Sequence, residues 1–72
     1  MRIKATGQPN YRLARVLTRR KLSQRDLALL AGLPYPVVSK MMNGGGYSYS
    51  NAVAVADKLG KSPESLGLIH TN

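Results

Sequence analysis

An all-α fold is what this sequence predicts: a compact bundle of five short helices, the central two joined by a tight turn. Apolar residues recur at the i, i+3, i+4 spacing of a helix face. Capping residues and glycines punctuate those segments where helices start and stop. No stretch alternates apolar and polar residues as a half-buried strand would. The 72 residues suffice for one domain with one small core.

Residues 1–9 show no period and contain Gly7 and Pro9, so they read as a basic arm, partly extended. The folded domain spans 10–69, and 70–72 form a tail carrying His70, the sole histidine. Asn10 is the expected cap of a first helix over Tyr11–Arg20, with Leu13, Val16 and Leu17 as its core stripe. Ser23 caps the second helix, which runs to Ala31, and Asp26 stands where a capping box prefers Glu or Gln. Leu27, Leu30 and Ala31 form its inward set, with Ala28 beside them and Leu29 pointing elsewhere. Ala31-Gly32-Leu33 is the tight turn.

The third helix is expected over Pro36–Met42, with Tyr35 at the N-cap and Asn43-Gly44 as a left-handed stop. Gly44-Gly45-Gly46 reads as a flexible loop. Ser48 or Ser50 caps a fourth helix that runs to Leu59 and is halted by Gly60. Ser62-Pro63-Glu64 opens a short fifth helix reaching Leu66.

Charge locates the function. Lysine and arginine total 11 against 3 acids, for a net charge of +8. Arg2, Lys4, Arg12, Arg15, Arg19, Arg20, Lys21 and Arg25 carry all of that excess, with no acid among the first 25 residues. A localised basic surface calls for a polyanionic partner. There is no cysteine, so disulfides and thiolate metal sites are excluded. No metal, cofactor or small-molecule ligand is expected. Three scattered acids and one histidine offer no acid–base pair, so an enzyme is not expected. No apolar run approaches a membrane span, and the basic start lacks the apolar core of a signal peptide. The expected location is the cytoplasm, at the nucleoid.

A helix pair of this size places its second member in the DNA major groove. At 100° per residue, Val38, Met41 and Met42 fall on one side of the third helix, and Pro36, Ser39, Lys40 and Asn43 on the other. Lys40 can donate to guanine O6 and N7, or else contact a phosphate. Pro36 and Val37 can touch thymine methyls, or else pack on the neighbouring helix. Tyr35 reads either as a stacking residue or as the edge of the core. Gln24 and Arg25 stand at a helix N-terminus, where phosphate is attracted. Arg15 and Arg19 are candidates for flanking phosphates, and Arg2 and Lys4 for a minor-groove arm. Of the two tyrosines that follow the glycine loop, Tyr49 is expected in the core and Tyr47 near the DNA. Leu66, Leu68 and Ile69 are expected to leave an apolar dimer surface, or else to finish the monomer core, Leu66 foremost; Leu29 and Leu30 are a rival interface.

The run LSQRDLALLAGLPYPVVSKMMNGG resembles the lambda-repressor-like (Cro/repressor, or XRE-type) helix-turn-helix family. The motifs that carry the resemblance are the LSQ opening, Leu27-Ala28, Gly32 in the turn, the apolar-Ser-Lys run, Asn43-Gly44, and the Ala-x-x-Leu-Gly that closes the fourth helix. It covers about Tyr11 to Leu66. It implies a sequence-specific regulator of double-stranded DNA, a phage or bacterial repressor acting as a homodimer on a palindromic operator. It implies a phosphate contact for Gln24, base contacts for Tyr35, Pro36, Val37 and Lys40 with Ser39 beside them, and phosphate contacts for Asn43 and the backbone N–H of Gly45. The sequence departs from the family at Pro34, where a Ser or Thr cap is usual, and at Tyr35-Pro36, which lack the usual Gln or Arg. Leu29 and Leu30 replace polar residues, and Leu17 and Met42 stand where a buried Arg–Glu pair is common. Two other readings stay open: a protein-interaction module of antitoxin or anti-repressor type, and a nonspecific nucleic-acid-binding domain.

Overall fold

The fold is that of a computed structural model, which describes residues 2–69; Met1 and the tail 70–72 with His70 lie outside the described residues. The element order is β1 (Arg2–Ile3), α1 (Tyr11–Arg19), α2 (Gln24–Ala31), α3 (Tyr35–Asn43), β2 (Tyr47–Ser48) and α4 (Tyr49–Leu59). Among the described residues there are thus four helices where five were expected, and one short antiparallel strand pair where none was.

The caps form as their chemistry dictates. Asn10 Oδ1 accepts from the Leu13 N–H at 3.0 Å. Ser23 Oγ accepts from Asp26 N–H at 3.0 Å, and Asp26 Oδ2 accepts in return from Ser23 N–H at 2.9 Å, so the box closes with an aspartate. Hydrogen bonds to the carboxylate from Ser23, its backbone N–H foremost and its side chain second, hold the Asp26 carboxyl below its usual range. Their contribution is therefore complete above the ordinary aspartate value and fades as pH falls through the lowered one. Ser48 Oγ caps α4 through Asn51 N–H at 3.1 Å. α3 differs from expectation: Pro34 is its N-cap, Tyr35 is already helical, and no side chain caps that end.

The fifth helix fails because its start and stop signals sit too close together. Ser62 Oγ does accept from Ser65 N–H at 3.2 Å. Gly67 N–H then reaches Glu64 O at 3.1 Å and Leu68 N–H reaches Pro63 O at 2.9 Å, closing the chain after a single turn. That closure folds Leu66 and Leu68 inward, and both are fully buried. They complete the monomer core and do not form the exposed apolar surface expected of them; Ile69 is half-buried against the same cluster. Leu13, Leu17, Leu27, Val38, Met41, Val55 and Leu59 fill the remainder. On α2 the inward stripe is Leu27, Ala28 and Ala31; Leu30, expected inside, is 49% exposed.

Residues 2–8 are folded back onto the domain. Arg2 pairs with Ser48 and Ile3 with Tyr47, while Thr6 N–H and Gly7 N–H both donate to Gly44 O, at 2.9 and 3.0 Å. The glycine loop is accordingly packed and is not a free linker. Gly44 is buried with φ +86°, and a Cβ there would overlap the backbone of Gln8. The same pairing reverses the expected tyrosines. Tyr47 lies in β2 with its ring buried, and its hydroxyl donates to Leu68 O at 2.7 Å. Ser48 ends the strand by capping α4, so Tyr49 opens a helix and is 43% exposed.

Two long-range clamps were not legible beforehand. Asn10 Nδ2 donates to Leu66 O at 3.0 Å, so one side chain both caps α1 and holds the last turn. Arg20 Nη2 donates to Leu59 O at 2.7 Å, placing a cation on the C-terminal end of α4, where the helix dipole favours one.

Burial raises the Tyr47 hydroxyl above its ordinary range. A proton retained in the fold and lost in the unfolded chain stabilises the fold below pH about 10, and that stability drains as pH climbs toward the raised value. Tyr47→Phe should remove this alkaline loss, read by denaturant midpoints across pH 8–11, and should cost about 1–3 kcal/mol at neutral pH by stranding the Leu68 carbonyl. Lys21 alone among the described non-glycine residues has a positive φ, +57°, where it terminates α1. Lys21→Gly should relieve about 1 kcal/mol of left-handed strain, visible in a thermal melt as a gain of about 4–8 °C in Tm.

Candidate nucleic-acid interface

α3 is sided. Val38, Met41 and Met42 are buried, anchoring it chiefly against α2, with which it makes the most extensive helix pairing in the molecule. Tyr35, Pro36, Lys40 and Asn43 are thereby left exposed, with Val37 and Ser39 half-exposed. The tight turn that sets the two helices has Gly32 at φ +67°, with Leu33 N–H closing onto Ala28 O at 2.9 Å. Left-handed backbone there is what glycine permits at no steric cost.

The outward side chains are braced. Asn43 Nδ2 donates to Ser39 Oγ at 3.2 Å, one turn apart on the same face. The stem of Lys40 lies across Gly45, where an added Cβ would stand 3.0 Å from Lys40 Cβ and 3.1 Å from Cγ. Gly45 therefore shapes the site by lacking a side chain. Its backbone N–H, expected to hold a phosphate, is already donated to Lys40 O at 2.8 Å, completing the C-terminal end of α3.

At the other end of α3 the guanidinium carbon of Arg25 sits 5.5 Å from the centroid of the Tyr35 ring. This cation–π contact joins the first turn of α2 to the first turn of α3. Stacking leaves the edge donors of the guanidinium free for an acceptor such as phosphate. Gln24, the first residue of α2, is half-buried. A shallow apolar groove of about 400 Å³ lies beside this contact, lined by Ala28, Leu29 and Leu33 together with Arg25 and Tyr35. Leu29 is 82% exposed there, as expected of a residue outside the core stripe.

The remaining cations divide. Arg15 and Arg19 are exposed on α1, and Arg2 and Lys4 are exposed on the folded-back segment. Arg20 is committed to the α4 carbonyl. The structure thus brings together Lys40, Ser39, Asn43 and Gly45 at one locus, and Arg25 with Tyr35 at another. Leu66 and Leu68 are removed from any surface. At the positions of Leu17 and Met42, 4% and 8% exposed, two apolar side chains meet the core, and no polar or charged residue is buried among the described residues. An apolar pair in place of a buried ion pair is neutral to stabilising when both partners change together.

Among the described residues no helix is long and apolar enough to cross a membrane, and no group of three or more His, Asp or Glu could hold a metal ion. A family model described as helix-turn-helix matches residues 12–66. No curated protein and no solved structure matches the chain significantly.

Proposed function

The chain belongs to the lambda-repressor-like helix-turn-helix family of DNA-binding regulators, and on that premise we propose that it is a sequence-specific repressor of the Cro type, reading the major groove with α3. The observation that carries this is the sidedness of α3: its apolar face is consumed by the core, and its outward face offers Lys40, Ser39 and Asn43 on a rigid rod. Lys40 donates to guanine O6 and N7, while Pro36 and Val37 meet thymine methyls. Arg25 and Gln24 grip the phosphates at the start of α2, and Arg15 and Arg19 grip flanking ones. With no Gln or Arg at the head of α3, shape and methyl contacts carry more of the discrimination than bidentate hydrogen bonds do.

A two-fold dimer on a palindrome is part of the proposal. Leu66 and Leu68 are not available to it. Leu29 and Leu30 supply the largest exposed aliphatic surface, and either a second copy or a different protein can cover it.

Selection from a random duplex pool followed by footprinting tests the reading, and gives the site, its symmetry and the half-site spacing together. Lys40→Ala should relax preference at one base position by about 1–3 kcal/mol. Arg15→Ala and Arg19→Ala should weaken specific and random DNA alike, each reducing the log–log salt slope by about 0.9. A Lys40→Ala penalty equal on selected and random duplex would overturn base reading and leave a nonspecific binder.

A further inference from the structure

The glycine loop between α3 and α4 holds something on each side. Lys40 lies along Gly45. Against the next residue, Gly46, lie the Ile3 carbonyl and the Arg2 guanidinium, 3.2 and 3.6 Å from where a Cβ would stand. Lys40 Cγ and Arg2 Nε are therefore no more than about 14 Å apart, since neighbouring Cα atoms are 3.8 Å apart. Duplex DNA carries one phosphate per roughly 3.4 Å of axis on each strand, so that distance spans a short run of phosphates.

The segment bearing Arg2 is fixed before any DNA arrives. β1 is paired with β2, the amides of Thr6 and Gly7 are both bonded to Gly44 O, and Ile3 is packed against the core. A free basic tail must be ordered on binding, whereas this one is ordered by folding.

We infer that Arg2–Gln8 is a docked wing of the DNA-binding surface, in which β1 presents the Arg2 guanidinium beside Lys40 to a phosphate bordering the groove that α3 enters. This rests on the major-groove reading above, and it replaces the expected minor-groove arm with a fixed contact to the strand. The wing packs closely on Gly46: a Cβ there would stand 3.2 Å from the Ile3 carbonyl, and the γ-carbons of a β-branched side chain add to that crowding beneath β1.

The first arm of the test needs no DNA. Amide exchange on the full chain should show Thr6 and Gly7 protected together with the α3 amides. Exchange at the rate of an unstructured peptide overturns the docked wing whatever the protein binds. The second arm uses a duplex selected from a random pool. Arg2→Ala should lower affinity about three- to tenfold near 0.1 M salt and cut the salt slope by about 0.9, without changing the selected sequence. Gly46→Val should produce the same loss, and the double variant no more than either alone, because both remove one contact. Additive losses, or an Arg2 contribution abolished by a minor-groove ligand such as netropsin, would mark a free arm and overturn the inference with α3 reading intact. Failure of the wild-type chain to enrich any duplex would instead bring down the functional reading, and the exchange result would still stand on its own.

Discussion

Gly44 is the point at which the rest of the structure is fastened. Its positive φ ends α3 one residue past Asn43. Its carbonyl accepts two amides from the leading segment, and its missing Cβ lets that segment pass in contact with the loop. A side chain here is opposed by the Gly7-Gln8 backbone, and backbone cannot swing away as the end of a side chain can. Helix termination, attachment of the leading segment and placement of the following loop are therefore one steric event. The loop packs against the stem of Lys40, so the placement of an exposed cation on α3 depends on a backbone contact that carries no charge itself.

Electrostatics is organised by exclusion. No charged residue is buried among the described residues, and the buried Tyr47 hydroxyl is satisfied by the Leu68 carbonyl. Arg2, Lys4, Arg15, Arg19, Arg25 and Lys40 are left at the surface, where the chain's three acids offset little of their charge. Arg20 is engaged within the fold: its guanidinium donates to the Leu59 carbonyl and ties the end of α1 to the end of α4. A domain of this size buries only about 60% of its unfolded surface. Single clamps thus weigh heavily: Asn10 to Leu66 and Tyr47 to Leu68 hold the last turn down, and Arg20 to Leu59 holds the end of α4.

Four helices, the caps at Asn10, Ser23 and Ser48, the turn at Gly32 and the two faces of α3 were determined by the sequence alone. Each depends on residues within one or two turns of each other, where periodicity and side-chain capping leave few alternatives. The basic surface and the helix-turn-helix pattern were legible for the same reason. What only the tertiary structure decided was long-range. A two-residue strand pair is too short to show a period, yet it docks residues 2–8 on the glycine loop, buries Tyr47 and exposes Tyr49. Ser62 signalled a start correctly, but Gly67 turns the chain back with four residues between them, too few to sustain a helix. Leu66 and Leu68 went inside because Asn10 and Tyr47, 56 and 21 residues away, hold their carbonyls. Contacts across such separations leave no local pattern, since what they satisfy is a backbone group that every residue has.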